Sequence, residues 1–292
     1  MSFELPAPAK LNLILRILGR RPDGYHELQT LFQLLDFGDS LEFELLKDAE
    51  IGVDADNLDI PLQDNLIYRA ARLLQQKSGC TKGAHIRLHK KLPQGGGIGG
   101  GSSDAATALL GLNHLWQCDL PLGELAELGR QLGADVPVFV RGRTAWAEGV
   151  GEKLTPVITE PRHYLVLIPN CTVSTAAVFG DPRLTRDSAA ITLAHLREGQ
   201  LDDSWLEQYS GNDCQALVEH LYPEIRAARE WLQQFARAQL TGTGACVFAA
   251  FESAAAANEA LAELPANWHG FVAAGVQQSP THSQLAKIAS TI

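Results

Sequence analysis

Six of the seven residues from Gly95 to Gly101 are glycine, in the segment PQGGGIGGGSSDAA (93–106). Removing nearly every side chain lets backbone N–H groups close on an anion, and where such a loop empties into a helix N-terminus the chemistry is phosphate binding. Standing alone, a glycine-rich stretch could equally be a flexible loop or a packed turn. Here an alternating strand pattern (His85 to Leu88) precedes it, and Ser102 and Ser103 lead into a helical pattern with apolar Ala106, Leu109, Leu110 and Leu112. That combination favours an anion cradle, with Ser102 or Ser103 capping the helix and Asp104 in its first turn.

No Gly-Lys-Ser/Thr follows at the Walker A spacing. A formal GxGxxG does occur at Gly95, Gly97 and Gly100. A dinucleotide-binding unit would need a second strand ending in an acidic residue about twenty positions on. Asp119 lies near that distance, but it follows a helix end and precedes Pro121, so the fingerprint reads as accidental. A nicotinamide-dependent oxidoreductase is the alternative it leaves.

Two charged residues outside the loop have ordinary readings on pattern alone. Lys10 lies near the start of an alternating strand, AKLNLILRIL (9–18), where an isolated lysine is ordinarily solvent-exposed. Asp135 precedes VPVFV, with Pro137 near the start, in a position suited to capping a short helix. His85 and His89 are four apart on a strand, over about a dozen ångströms by the rise per residue, too far to share a metal ion.

The elements that must position these groups can be read in order. Strands are expected at 28–37 and 40–46 with Gly38-Asp39 between them, and a helix at 64–77 begun by Asp64. A helix at about 122–132 ends at Gly133, and 143–160 carries the turn signals of a domain junction. The second half reads as strand 164–169, helical region 213–237, strands 238–242 and 245–251, helix 253–264 and strand 270–276, a β-α-β-β-α-β order typical of a split βαβ, ferredoxin-like unit. The pattern over 181–204 gives no clear element.

The chain has 292 residues and a formal net charge of −10, so its surface as a whole repels a nucleic-acid backbone. Its five cysteines are scattered with no CxxC spacing, which argues against a disulfide framework or zinc site and fits a reducing cytoplasm. No run approaches the roughly 20 apolar residues of a membrane span, and the N-terminal segment lacks a signal-peptide core, so a soluble, unprocessed protein is expected. Nothing in the sequence speaks to oligomeric state.

Three separated blocks resemble the GHMP kinases: PAPAKLNLILRILGRRPDGYHELQT (6–30), LPQGGGIGGGSSDAA (92–106) with LGADVPVF (132–139), and LTGTGACVF (240–248). Gly96 and Ile98 stand where alanine and leucine are common in such loops, and Thr243 where serine is frequent; none of these is a reacting group. The resemblance implies an α+β, two-domain GHMP kinase fold. Its N-terminal ATP-binding and catalytic domain (1–157) would be ribosomal-protein-S5-domain-2-like, and its substrate-side domain (158–292) ferredoxin-like. A non-catalytic RNA-binding relative is the alternative the first domain suggests, and the acidic balance speaks against it.

The same resemblance implies a cytoplasmic small-molecule kinase using ATP with Mg²⁺. RPDGYHEL in the first block narrows the likeness to kinases that phosphorylate the tertiary 2-hydroxyl of a cytidine-diphosphate-linked methylerythritol in non-mevalonate isoprenoid synthesis. Another acceptor within the family is the nearest alternative. By the family pattern Lys10 and Asp135 are catalytic. Pro93, Gln94, Gly95, Gly96, Gly97, Ile98, Gly99, Gly100, Gly101, Ser102 and Ser103 would hold the phosphates of ATP, with Asn65 and Leu66 near the adenine. Ser103, and after it Ser102, could offer a hydroxyl to phosphate or Mg²⁺. Asn12, Tyr25, His26, Phe179, Gly242 and Gly244 would contact the acceptor, Tyr25 and Phe179 holding the cytosine and His26 reading its polar edge. Without the resemblance, Gly242 and Gly244 read as a simple hairpin turn.

Overall fold

The structure, a computed structural model, describes residues 2–55, 60–193 and 199–291. Its spine is an antiparallel ribbon of two long strands, β1 (Ser2–Arg20) and β2 (His26–Leu46), paired from Ser2↔Glu44 to Arg20↔His26. The turn expected at Gly38-Asp39 is absent: β2 runs straight through. Gly38 is there because a Cβ would lie 2.1 Å from the Ala7 carbonyl oxygen, and Asp39 is fully buried. The pairing shifts register between Pro8 and Lys10 and again between Asn12 and Ile14. Such bulges re-aim side chains, and both faces of β1 are buried from Ala7 to Leu15.

The N-terminal part continues with β3 (Ile51–Ala55), α1 (Leu66–Ser78), β4 (Gly83–His89), α2 (Gly100–Trp116), α3 (Leu122–Arg130) and α4 (Val136–Arg141). β4 pairs with β2 and β3, while α2 packs on β1 and β2 and touches α1 and α4. Between them lies a core that includes Phe32, Phe43, Ile86, Leu109 and Trp116. α1 begins two residues later than expected, and its cap is one residue later: the side chain of Asn65, not Asp64, accepts from the Ile67 N–H at 2.9 Å. α2 begins at Gly100, two residues before the expected serine cap. Asp104 therefore lies in its second turn instead of the first, and is buried.

The expected junction at 143–160 folds as β5 (Ala145–Gly149), β6 (Lys153–Pro156) and β7 (Ile158–Thr159). Then come β8 (His163–Ile168), α5 (Thr175–Gly180), β9 (Gln200–Leu201), α6 (Asp203–Tyr209), β10 (Gly211–Asn212), α7 (Gln215–Leu221), α8 (Pro223–Leu232), β11 (Ala238–Leu240), β12 (Val247–Phe251), α9 (Ala254–Ala262), β13 (His269–Val276) and α10 (Pro280–Thr291). The expected helical region 213–237 is two helices because Pro223 cannot continue the first. β9 and the start of α6 fall in the unassigned stretch 181–204, of which 194–198 lie outside the described residues. Strands β13-β8-β12-β11 are neighbours in that order and antiparallel throughout, the arrangement of a split βαβ unit. The unit is joined to the ribbon by β13 on β2 (Gly275↔Leu35, Val276↔Leu34), while β10 pairs with β1 and α10 packs against β1.

Candidate active site

The glycine loop bridges β4 and α2 with its polarity sorted. Gly95 O accepts from Ala245 N and Gly96 O from Cys246 N, both at 3.0 Å. Ile98 O accepts from Lys10 N at 3.0 Å and Gly99 O from Ser103 N at 2.8 Å. Gly97 O accepts from Lys10 Nζ at 3.1 Å and from Thr241 Oγ1 at 3.3 Å. All five carbonyls thus turn into the protein, while among the described residues no amide N–H from Gly95 to Gly99 donates to a protein acceptor. A row of free N–H groups continues into the N-terminus of α2, whose first amides have no partner in any helix. Glycine is required at Gly97, where φ is +71° and a Cβ would lie 2.3 Å from the Thr241 carbonyl oxygen.

Lys10 lies beneath this loop, 2 % exposed, and its ammonium meets Asn12 Oδ1 at 2.6 Å, Gly97 O at 3.1 Å and Asp135 Oδ2 at 3.1 Å. It also sits 5.3 Å from the Phe32 ring centroid. Three oxygens and an aromatic face replace its water, which is what a buried ammonium requires. Asn12 is fixed in turn: its Nδ2 donates to Thr30 Oγ1 at 2.8 Å, and Thr30 donates to Ile14 O at 2.6 Å, so its Oδ1 is left to face Lys10. Asp135 occupies the residue before α4 but makes no capping bond; its carboxylate turns to Lys10 and stays about one-third exposed. The cap expected there is replaced by an ion pair.

These groups line a cavity of about 540 Å³. Its wall includes Lys10, Asn12, Asn65, Leu66, Pro93 to Gly97, Gly99 to Ser102, Asp135, Phe179 and Gly242. Ile98 is buried behind the wall, and so is Ser103, whose hydroxyl has no partner and no solvent access; Ser102 is the serine at the surface of the cavity. Gly244 lies off the wall, its N–H bonded to Thr241 O at 2.9 Å. Neither Tyr25 nor His26 is on the cavity wall: Tyr25 is 63 % exposed in the Arg21–Tyr25 turn, and His26 is buried against the ring of Phe179, which is on the wall, with centroids 5.0 Å apart. Burial, then the charges of Arg186 and Arg20, lower the His26 pKa.

One part of the wall is absent from the sequence reading. Lys90 Nζ bonds Asp39 Oδ2 at 2.6 Å and Asp104 Oδ2 at 2.8 Å beside the start of α2. Asp39 also accepts from the amides of Lys91 at 2.6 Å and Leu92 at 2.8 Å, just before the glycine loop. Burial works against the charge of Lys90, but the two carboxylates outweigh it and raise its pKa. Burial, with Asp39 adding to it and Lys90 opposing, pushes Asp104 up to about 7. Asp39 accepts from two further N–H donors, whereas the Oδ1 of Asp104 has no partner and Asp104 keeps a proton more readily. The Lys-Lys pair next to the glycine loop was a visible signal; its carboxylate partners, 51 and 14 residues away, were not.

α2 is followed by α3 and α4, with no second parallel strand as a dinucleotide fold requires, and Asp119 sits at φ +53° in a turn, so the GxGxxG spacing is accidental. Among the described residues no cluster of three or more His, Cys, Asp or Glu could hold a metal ion, and no helix is long and apolar enough to cross a membrane.

Comparison with known proteins gives the family of the chain. The family model for the GHMP kinases N terminal domain matches residues 65–143, and that for GHMP kinases C terminal matches 196–270. A protein of Pseudomonas syringae pv. syringae (strain B728a) named 4-diphosphocytidyl-2-C-methyl-D-erythritol kinase is 57 % identical over 284 residues, covering 97 % of this chain and 98 % of its own. One of the same name from Pseudomonas aeruginosa (strain UCBPP-PA14) is 56 % identical over 285 residues, covering 98 % of both. A crystal structure of 4-(cytidine 5'-diphospho)-2C-methyl-D-erythritol kinase superposes with a TM-score of 0.80 at 32 % identity, covering 94 % of this chain and 100 % of that one. A mevalonate kinase of L. major, at 16 % identity and a TM-score of 0.68, shares the fold.

Proposed function

This chain belongs to the GHMP kinase family, in the branch whose members are named 4-diphosphocytidyl-2-C-methyl-D-erythritol kinase, and from that premise we propose how its residues divide the work. It transfers the γ-phosphoryl group of ATP to the 2-hydroxyl of 4-diphosphocytidyl-2-C-methyl-D-erythritol, giving the 2-phosphate and ADP for non-mevalonate isoprenoid synthesis. The observation that carries this is the opening of an inverted-polarity glycine loop onto the Lys10–Asp135 pair, an anion cradle and a charged pair sharing one cavity.

Phosphoryl transfer asks for positioning and charge stabilisation more than covalent work by the protein. The free amides of Gly95 to Gly99 and the start of α2 hold the phosphates, and Asn65 and Leu66 at the start of α1 flank the adenine. The Lys10 ammonium faces the charge that builds on the transferred group. Asp135 aligns the acceptor hydroxyl and takes its proton as the bond from phosphorus to the acceptor oxygen forms and the bond to the leaving ADP oxygen breaks. Its ion pair with Lys10 fixes where the carboxylate stands. Asn12, locked by Thr30, holds Lys10 in place. A tertiary hydroxyl is hindered, so binding energy from the distant cytidine, contributed by Tyr25, His26 and Phe179, serves to hold the reacting end.

Mg²⁺ fits as an ion carried in by ATP: such an ion keeps several waters and needs only one or two protein oxygens, one of which the Ser102 hydroxyl on the cavity wall could supply. It would neutralise charge on the bridging phosphates. In this mechanism residues 1–157 act as the ATP-binding and catalytic domain and 158–292 as the substrate-side domain. The five free cysteines suit work in the cytoplasm. The test is ADP release with the cytidylyl acceptor beside mevalonate, homoserine and galactose. Turnover with the first alone is expected, and preference for any other compound removes the acceptor assignment.

A further inference from the structure

Arg186 follows α5 and makes four hydrogen bonds, all to neutral acceptors. Its Nε donates to His26 Nε2 at 3.0 Å, its Nη1 to Leu184 O at 3.0 Å, and its Nη2 to Phe179 O at 2.8 Å and Asp181 O at 2.7 Å. Among the described residues no carboxylate lies within ion-pairing distance of it; the nearby Asp181 carboxylate is paired with Arg183. A guanidinium can only donate and does not lose its proton. The ring nitrogen of His26 that faces it must therefore present a lone pair, and the neutral ring carries its proton on the other nitrogen. That second nitrogen has no partner among the described residues and is not sealed from solvent. The same guanidinium ties down the end of α5, the element that carries Phe179 to the cavity wall.

We propose that Arg186 is a positioning residue for the pyrimidine end of the acceptor, holding His26 as a hydrogen-bond donor toward the base and Phe179 against it through one guanidinium. The free N–H of His26 then calls for an acceptor atom, such as the ring nitrogen or carbonyl oxygen on the edge of cytosine. The charged groups facing His26 are Arg186 and Arg20, both cations, and with burial they disfavour its protonated form, which would set donor against donor.

The inference rests on the cytidylyl acceptor assigned above, and two measurements keep them apart. Nitrogen NMR of the histidine-labelled full chain, without any substrate, should show the lone pair of His26 on the nitrogen facing Arg186. A proton on that nitrogen, or an even mixture of tautomers, overturns the proposal. In kinetics, Arg186→Ala should raise KM for the cytidylyl acceptor about 30-fold, the loss expected of a charged hydrogen-bond set, with kcat and KM for ATP within about threefold. Arg186→Lys, which keeps the charge but not the planar fork, should not restore KM. An unchanged acceptor KM in Arg186→Ala, or full rescue by lysine, overturns it. If the variants unfold, the wild-type tautomer decides. If the wild-type chain does not turn over the cytidylyl acceptor, the acceptor assignment fails, whichever tautomer is found.

Discussion

Replacing Asp135 by Asn removes the carboxylate paired with the Lys10 ammonium while keeping an oxygen in nearly the same place. The Lys10 side chain is 3 % exposed and that of Asp135 is 32 % exposed. Breaking a fully buried pair costs about 3–5 kcal/mol. Here one partner is part-solvated, and Asn12 Oδ1 and Gly97 O remain on the ammonium at 2.6 and 3.1 Å. The expected loss of stability is therefore nearer ~1–2 kcal/mol, a fall in Tm of ~2–8 °C, and the variant stays folded at assay temperature. The rate should suffer far more. Loss of a positioned proton acceptor costs about 10²–10⁴-fold in kcat, or ~3–5 kcal/mol of barrier, with KM for ATP within about threefold because the amide cradle is untouched. The assay is coupled ADP release at saturating ATP and acceptor, with a thermal melt on the same sample. A kcat within about tenfold of wild type in a folded variant would refute the role given to Asp135.

Three further substitutions probe other parts of the site. The folded-state pKa of Asp104 is raised from 3.8 to about 7, so the native state holds its proton more tightly than the unfolded chain, and the stability this confers is lost as pH rises through 7. Asp104→Asn should flatten the fall in Tm between about pH 4 and about pH 7, and parallel curves for the two proteins would count against the assignment. Gly97→Ala forces a Cβ to within 2.3 Å of the Thr241 carbonyl oxygen at φ +71°. It should cost several kcal/mol or displace the loop, read as a lower Tm and lost ATP binding; normal values for both would show that the two loops do not pack this closely. Tyr25→Ala should raise acceptor KM with little change in kcat or Tm, since the ring is 63 % exposed. An unchanged KM would remove Tyr25 from acceptor binding.

The parts of this site that were legible in the sequence are local. The glycine run, its helix and the split βαβ order are patterns within a few residues or a clear succession of elements, and they fold as read. Lys10 was marked only by its family-like neighbours, because its burial depends on a register shift opposite Leu34 that no strand pattern announces. Gly38-Asp39 looks like a turn because glycine and aspartate commonly make one. In the folded chain the glycine admits the Ala7 backbone, and the aspartate braces Lys91 and Leu92. The switch of cap from Asp64 to Asn65 turns on a single residue, where two residue types serve equally well. Arg186 and His26, 160 residues apart, meet only through tertiary packing.

The central claim is that the phosphoryl group is placed on a tertiary carbinol oxygen, and phosphorus NMR of the product tests it most directly. A carbinol carbon without hydrogen gives its phosphate no three-bond coupling to a carbinol proton. The account predicts a new monoester singlet growing in step with ADP when the wild-type chain, ATP, Mg²⁺ and the cytidylyl acceptor are combined. A proton-coupled multiplet, or ADP released without any new monoester, would contradict it.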